Sequence, residues 1–129
     1  MADKKSVLKV ANQVRRWYDK GDLTNSLDCK CAIVSASLSV ALHRKGIKHR
    51  IHYAGDGWCH VFVVVDGYLL DLTAKQFDDD LEPIVFRRLK KREREWYWKT
   101  THTFANAKEL VSFQHDMNWP KSQIHPKLG

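Results

Sequence analysis

Residues 59–73 of this 129-residue chain read CHVFVVVDGYLLDLT and predict a β-hairpin. Residues 59–65 are rich in β-branched and aromatic side chains and favour one strand, and residues 68–72 favour a second. Between them stands Asp66-Gly67, a dipeptide typical of two-residue hairpin turns because both positions tolerate positive φ. We therefore expect two antiparallel strands in a tightly defined register.

The predicted register brings one histidine and one aspartate together. If Val65 pairs with Tyr68, His60 and Asp71 lie on the same face of the hairpin as diagonal neighbours, within side-chain reach. Asp66 lies in the turn at the far end and cannot reach His60, so the pairing selects Asp71 as its partner. The opposite face of the hairpin is also apolar, so we expect both faces to be covered.

Two segments with helical periodicity precede the hairpin. Residues 6–20 predict an amphipathic helix. A second helix is predicted from a cap at Ser26 or Asp28 to about residue 45, and it puts Cys31 in its first turn. The apolar face of the first helix is formed by Val7, Val10, Ala11, Val14, Trp17 and Tyr18. The apolar face of the second is formed by Cys31, Val34, Ser35, Leu38 and Leu42.

Segments on both sides of the hairpin carry weaker signals of secondary structure. Residues 49–53 and residues 84–89 are short segments that favour strands. Residues 106–117 predict a last helix, and residues 118–129, which contain two prolines, predict an irregular tail. The apolar side of the last helix is expected to carry Ala107, Leu110, Val111 and Met117.

A cysteine at a helix N-terminus facing a histidine is an arrangement suited to nucleophilic chemistry. If the second helix covers the His60 face of the hairpin, Cys31 meets His60. The helix terminus and an imidazolium would stabilise the Cys31 thiolate, and His60 would protonate a leaving amine. Asp71 would orient the imidazole, and the backbone N–H of Cys31 would bind a developing oxyanion. The sequence thus predicts a Cys31–His60–Asp71 triad.

Three motifs carry a resemblance to a known group of proteins. They are residues 31–47 (CxxxSxxLxxxLxxxGI), residues 60–63 (HVFV) and residues 71–77 (DLTAxQF). They resemble the nucleophile helix, the histidine strand and the following Asp-x-Thr strand of the papain-like and transglutaminase-like thiol enzymes. The resemblance extends over about residues 28–77, under half of the chain.

The resemblance implies an α+β fold with a papain-like/transglutaminase-like core, in which N-terminal helices pack on a small antiparallel sheet. It implies a cysteine-dependent hydrolase or transferase that acts on an amide bond of a protein or peptide and needs no cofactor. By carry-over, Cys31 is the nucleophile, His60 the base and Asp71 the orienting acid. Gln76 is expected to help shape the site by resemblance alone. Trp58, which follows a glycine-containing loop, is expected to form a wall of the substrate cleft.

Other interpretations of the same residues stay open. Cys29 is the alternative nucleophile if the second helix begins earlier. Cys29, Cys31, Cys59 and His60 are four potential zinc ligands, although Cys-x-Cys is not the usual spacing. Residues 86–98 mix basic and aromatic side chains, as nucleic-acid binding requires, but glutamates are interleaved with them. A non-catalytic binding or inhibitor protein on the same fold is the remaining alternative.

Composition and charge fit one basic domain spanning residues 1–129. The length is sufficient for one hydrophobic core, and no repeat or linker divides it. Lys and Arg number 22 against 15 Asp and Glu, a net charge of +7 that favours an acidic partner. An odd cysteine count, the lack of an apolar leader and the lack of a long apolar run predict a cytoplasmic protein with no membrane partner.

Overall fold

An antiparallel sheet and three α-helices form an α+β fold in the computed structural model, which describes residues 3–27, 30–55, 60–88 and 99–128. The helices are α1 (Lys4–Asp19), α2 (Cys31–Arg44) and α3 (Ala107–Asp116). The strands are β1 (Arg50–Ala54), β2 (His60–Val65), β3 (Tyr68–Asp71), β4 (Val85–Arg88) and β5 (His102–Phe104). The five strands lie in the order β4-β3-β2-β1-β5. Short 3-10 turns occupy Ala74–Gln76 and Lys121–Gln123.

The central hairpin has the register that the sequence predicts. Val65 pairs with Tyr68, and Val63 pairs with Leu70. Asp66 and Gly67 both have positive φ, 52° and 78°, as a type I′ turn requires. The turn type matches the twist of the two strands, which explains why the register follows from local sequence.

The two faces of the sheet are covered by different parts of the chain. The core under the helices contains Val61, Val63 and Val65, and Ser35 of α2 donates a hydrogen bond of 3.1 Å to the carbonyl of Val61. The other face has a smaller core, made of Ala54, Phe62, Leu69, Ala74 and Val85. The expectation that both faces are covered is confirmed. The expectation that α2 covers the His60 face is wrong, because the side chains of β2 alternate and α2 packs on the Val61 face.

The starts and ends of α1 and α2 refine the predicted helices. Asp3 caps α1 by accepting a hydrogen bond from the backbone N–H of Lys5, and Trp17 is 55% exposed at the edge of the apolar face. The prediction that Trp17 lies on the buried, apolar face of the first helix is therefore wrong. α2 begins only at Cys31, with Lys30 at the cap position and no side-chain cap among the described residues. The predicted cap at Ser26 is wrong because Ser26 lies before that start, and Asp28 lies outside the described residues.

The C-terminal part of the chain adds β5 and α3. β5 was not predicted from sequence and pairs with β1 at the edge of the sheet. Asn106 caps α3 by accepting a hydrogen bond of 3.0 Å from the backbone N–H of Glu109. Met117 is 61% exposed at the end of α3, so its predicted place on the buried side is wrong. Within the described ranges, α1, α2 and α3 are all too short or too polar to cross a bilayer.

Candidate active site

A buried histidine–aspartate pair lies at the end of the sheet where β2 begins and β3 ends. His60 Nε2 lies 2.6 Å from Asp71 Oδ2, and each residue is 1% exposed. The hairpin register explains the contact between His60 and Asp71, since the two residues are diagonal neighbours on one face of paired strands. A carboxylate only accepts hydrogen bonds, so Nε2–H donates to Asp71. The predicted His60–Asp71 contact is confirmed.

Neighbouring groups fix both members of the pair. Asp71 Oδ1 accepts a hydrogen bond of 2.8 Å from the backbone N–H of Thr73 and another of 3.3 Å from its hydroxyl group. The ring of Phe77 meets the His60 ring edge-on at 4.8 Å, and Phe62 stacks on it at 5.7 Å. The two phenylalanine rings and the two hydrogen-bonded carboxylate oxygens thereby hold the His60 ring in one orientation.

Cys31 reaches this pair from the other side of the sheet. It is the first residue of α2 and a free, half-buried thiol, and it lies close enough to His60 to influence the pKa of the imidazole. Although the body of α2 lies on the Val61 face, its N-terminus is at the end of β2 that His60 begins. Cys31, His60 and Asp71 are therefore brought together as predicted, but around the end of the strand rather than through its face.

The surroundings of His60 favour its protonated form. Burial is the largest influence and lowers the pKa of His60, but the charge and hydrogen bond of Asp71 and the contact with Cys31 outweigh it. Together they raise the pKa of His60 from 6.5 to about 9. The ring is therefore an imidazolium at neutral pH, positioned between a carboxylate and a thiol.

The N-terminus of α2 presents backbone donors next to the thiol. The first hydrogen bond of the helix runs from the Val34 N–H to the Lys30 carbonyl, at 2.9 Å. The N–H groups of Cys31 and Ala32 precede that bond and so have no partner within the helix. A helix terminus with these donors and its positive dipole end stabilises negative charge on a nearby sulfur or oxygen atom.

A buried arginine ties three segments around the site, and the sequence reasoning missed it. Arg15 of α1 is fully buried and pairs with Asp19 at 3.2 Å. Its guanidinium also donates to the carbonyls of Leu72, next to Asp71, and Asn25, in the connection that leads to Cys31. Arg15 thus fixes the strand that carries the acid and the segment before the nucleophile. The opposite charges four residues apart on α1 were the available signal.

The remaining candidate residues are only partly described. Gln76 lies in the 3-10 turn that delivers Phe77 to the His60 ring, and its role in binding substrate stays a prediction. Trp58 lies outside the described residues, as do Cys29 and Cys59, so neither the substrate-wall nor the zinc hypothesis is tested at those positions. Within the ranges that the structure describes, no group of three or more potential ligands is arranged to hold a metal. Most of the basic and aromatic segment 86–98 is likewise outside them.

No family model, curated protein or solved structure matches the chain. The functional argument therefore depends on the geometry and chemistry of the site.

Proposed function

We propose that this protein is a thiol enzyme, a hydrolase or transferase that acts on an amide C–N bond of a protein or peptide. The observation that carries the proposal is His60, a buried imidazolium held by Asp71 at 2.6 Å and in contact with the half-buried thiol of Cys31. A histidine that served only to fill the core would be buried neutral, since burial alone lowers its pKa. A papain-like/transglutaminase-like relationship remains part of the proposal.

The first half of the reaction follows from the roles of the three side chains. Cys31 reacts as a thiolate paired with the His60 imidazolium, which carries the proton. The thiolate sulfur attacks the carbonyl carbon of the amide, and the C=O oxygen becomes an oxyanion that accepts hydrogen bonds from the N–H groups of Cys31 and Ala32. His60 then donates a proton to the amide nitrogen, and the C–N bond breaks. The products of this half are a thioester on Cys31 and a free amine. Because Asp71 holds Nε2, this proton leaves from Nδ1 of His60.

The second half regenerates the thiol group. Water or an amine attacks the thioester carbon, and His60 takes the proton of the attacking group. The C–S bond breaks and its electron pair returns to the Cys31 sulfur, so that the pair is again a thiolate and an imidazolium. Attack by water gives a hydrolase and attack by an amine gives a transferase. A free thiol is required throughout, so we expect the protein to act in a reducing compartment, such as the cytoplasm.

The burial of the site suits this chemistry. His60 and Asp71 are shielded from water, which strengthens their interaction and prevents loss of the proton to solvent. Cys31 is partly accessible, so a carbonyl group can reach its sulfur from outside. The substrate therefore approaches the N-terminus of α2, where the Cys31 thiol is partly accessible.

Turnover of a peptide mixture is the direct test. Wild-type protein is incubated with peptides bearing internal amide bonds and side-chain amides, and mass spectrometry measures cleavage, deamidation or cross-linking. Cys31→Ala should abolish all three activities and labelling by an electrophilic peptide analogue, because the nucleophile is gone. Cys29→Ala and Cys59→Ala are the matched controls and should retain both.

Two results would contradict the proposal. Full turnover by both Cys31→Ala and Cys29→Ala would remove the thiol mechanism altogether. Loss of activity in Cys29→Ala, with Cys31→Ala unaffected, would show that the nucleophile is Cys29 and not Cys31.

A further inference from the structure

The fold separates the charges of the chain between two ends of the sheet. β2 runs from His60 at the candidate site to the hairpin turn, and α2 runs in the same direction from Cys31 to Arg44. Arg50 pairs with Val64, so β1 begins at the hairpin end. The basic run that the sequence contains at residues 43–50 (HRKGIKHR) is therefore gathered at this end, roughly 17 Å along β2 from His60.

Acidic residues collect at the opposite end. β3 ends at Asp71 and pairs there with the start of β4, so the connection between them lies at the end of the sheet that holds the candidate site. That connection carries the run Asp78-Asp79-Asp80. At the hairpin end, by contrast, the Tyr68 ring is covered by two cations, Lys4 at 4.5 Å and Arg88 at 5.1 Å. Among the described residues, the basic run at residues 43–50 thus lies at the end of the sheet away from the candidate catalytic residues.

A large open cleft lies within the basic end. It has a volume of about 1390 Å³ and is bordered by the start of α1, the connection between α2 and β1, and the hairpin turn. Four cations line it, Lys9, Lys45, Lys48 and Arg50, and all four are exposed. Among the described residues, the two ion pairs found are those of Arg15 with Asp19 and of His60 with Asp71, so neither engages these cations.

Two carboxylates, Asp3 and Asp66, also line the cleft, so its four cations leave a net charge of +2. Burial lowers the pKa of His49 and His52, so both are neutral at pH 7. The carboxylate of Asp3 is engaged at the N-terminus of α1, where it accepts from the Lys5 N–H and the Ser6 hydroxyl. The lining contains no Phe, Tyr or Trp among the residues that the structure describes, so it offers no large ring on which an unpaired base could stack.

We propose that this cleft binds the phosphate backbone of double-stranded nucleic acid. Exposed lysine and arginine side chains that are free of ion pairs and line a concave surface attract backbone phosphates, and such contacts need no base readout. The lack of stacking rings favours a duplex over a single strand. The site is independent of the thiol chemistry, because Cys31 begins α2 at the opposite end of the sheet.

Fluorescence anisotropy with a labelled DNA duplex of random sequence tests the site. With four phosphate contacts, raising the salt concentration from about 50 to about 200 mM should weaken binding about 150-fold. Lys48→Gln/Arg50→Gln should bind more weakly and reduce this salt effect to about 12-fold, since two contacts remain. Lys9→Gln/Lys45→Gln, on different elements of the cleft, should behave alike.

Matched controls separate a defined cleft from general charge. Lys20→Gln/Lys121→Gln removes the same charge from exposed lysines outside the cleft and should leave the salt effect unchanged. Equal losses in cleft and control variants would mean diffuse attraction and overturn the proposal. Equally tight binding of polyglutamate would assign the cleft to an acidic protein partner instead, and a flat salt dependence or no binding would remove the site.

Discussion

Replacing His60 with Gln should remove a pH dependence of stability that the buried pair imposes on the protein. A pKa raised from 6.5 to about 9 means that the folded state holds the His60 proton more tightly than the unfolded state does. This stabilisation is fully present below about pH 6.5 and is lost as the pH rises through about 9.

The magnitude follows from the two pKa values. Their difference corresponds to about 3 kcal/mol of native-state stability at low pH, of which about 2.5 kcal/mol remains at pH 7 and under about 0.5 kcal/mol at pH 9.5. Wild-type protein should therefore lose about 2 kcal/mol of unfolding free energy over this interval. Its other histidines with altered pKa values, His49, His52 and His125, have lowered values, so they are neutral throughout the interval and do not contribute.

Urea unfolding of matched variants at both pH values measures the effect. His60→Gln should abolish most of the fall in unfolding free energy between the two pH values. Comparing it with wild type cancels the contributions of the ionisable groups that both proteins share. Asp71→Asn should remove most of the fall as well, because the charge and hydrogen bond of Asp71 are the largest influences that raise the pKa of His60. Asp66→Asn removes a carboxylate from the exposed turn and should keep the fall. If His60→Gln loses as much stability as wild type, or wild type loses none, the assignment of the buried imidazolium is wrong.

Three further substitutions test the framework around the site. Arg15→Met should lower the free energy of unfolding in urea by about 3 kcal/mol, because it leaves the Asp19 carboxylate buried without its partner. A double variant with Asp19→Leu should recover part of this loss. An unchanged free energy of unfolding in Arg15→Met would mean that the pair does not support the fold. Gly67→Ala should cost about 1 kcal/mol, since an L-residue at a φ of 78° is strained; an unchanged melting temperature would argue against the type I′ turn. Asn106→Ala should cost about 1 kcal/mol of thermal stability through loss of the α3 cap, and Asn106→Ser should restore most of it.

Features that depend on local sequence were predictable. The Asp66-Gly67 turn and the alternation of the flanking strands determine a register, and that register alone selected Asp71 as the partner of His60. The position of Cys31 in a first helical turn came from the periodicity of α2. These predictions depend on contacts within the hairpin or one helix, where sequence spacing determines which side chains meet.

Features that depend on packing between distant segments were not predictable in the same way. The side of the sheet that α2 covers follows from how α1, α2 and α3 share one core, so the sequence could not show that Cys31 meets His60 around the strand end. β5 has only three residues and is defined by its pairing with β1. Arg15 resembles an exposed basic residue of an amphipathic helix until Leu72 and Asn25 supply carbonyls to it.

The alkylation rate of Cys31 in wild type and in His60→Gln tests the central claim most directly. Iodoacetamide is added at pH 7, and intact-mass spectrometry with peptide mapping follows modification of Cys31 alone. Proton transfer between Cys31 and His60 predicts that the rate constant falls about a hundredfold in His60→Gln, while Ser39→Ala, elsewhere on α2, keeps the wild-type value. Equal rates in wild type and His60→Gln would show that the histidine does not activate the thiol, and the proposed thiol enzyme would have to be abandoned.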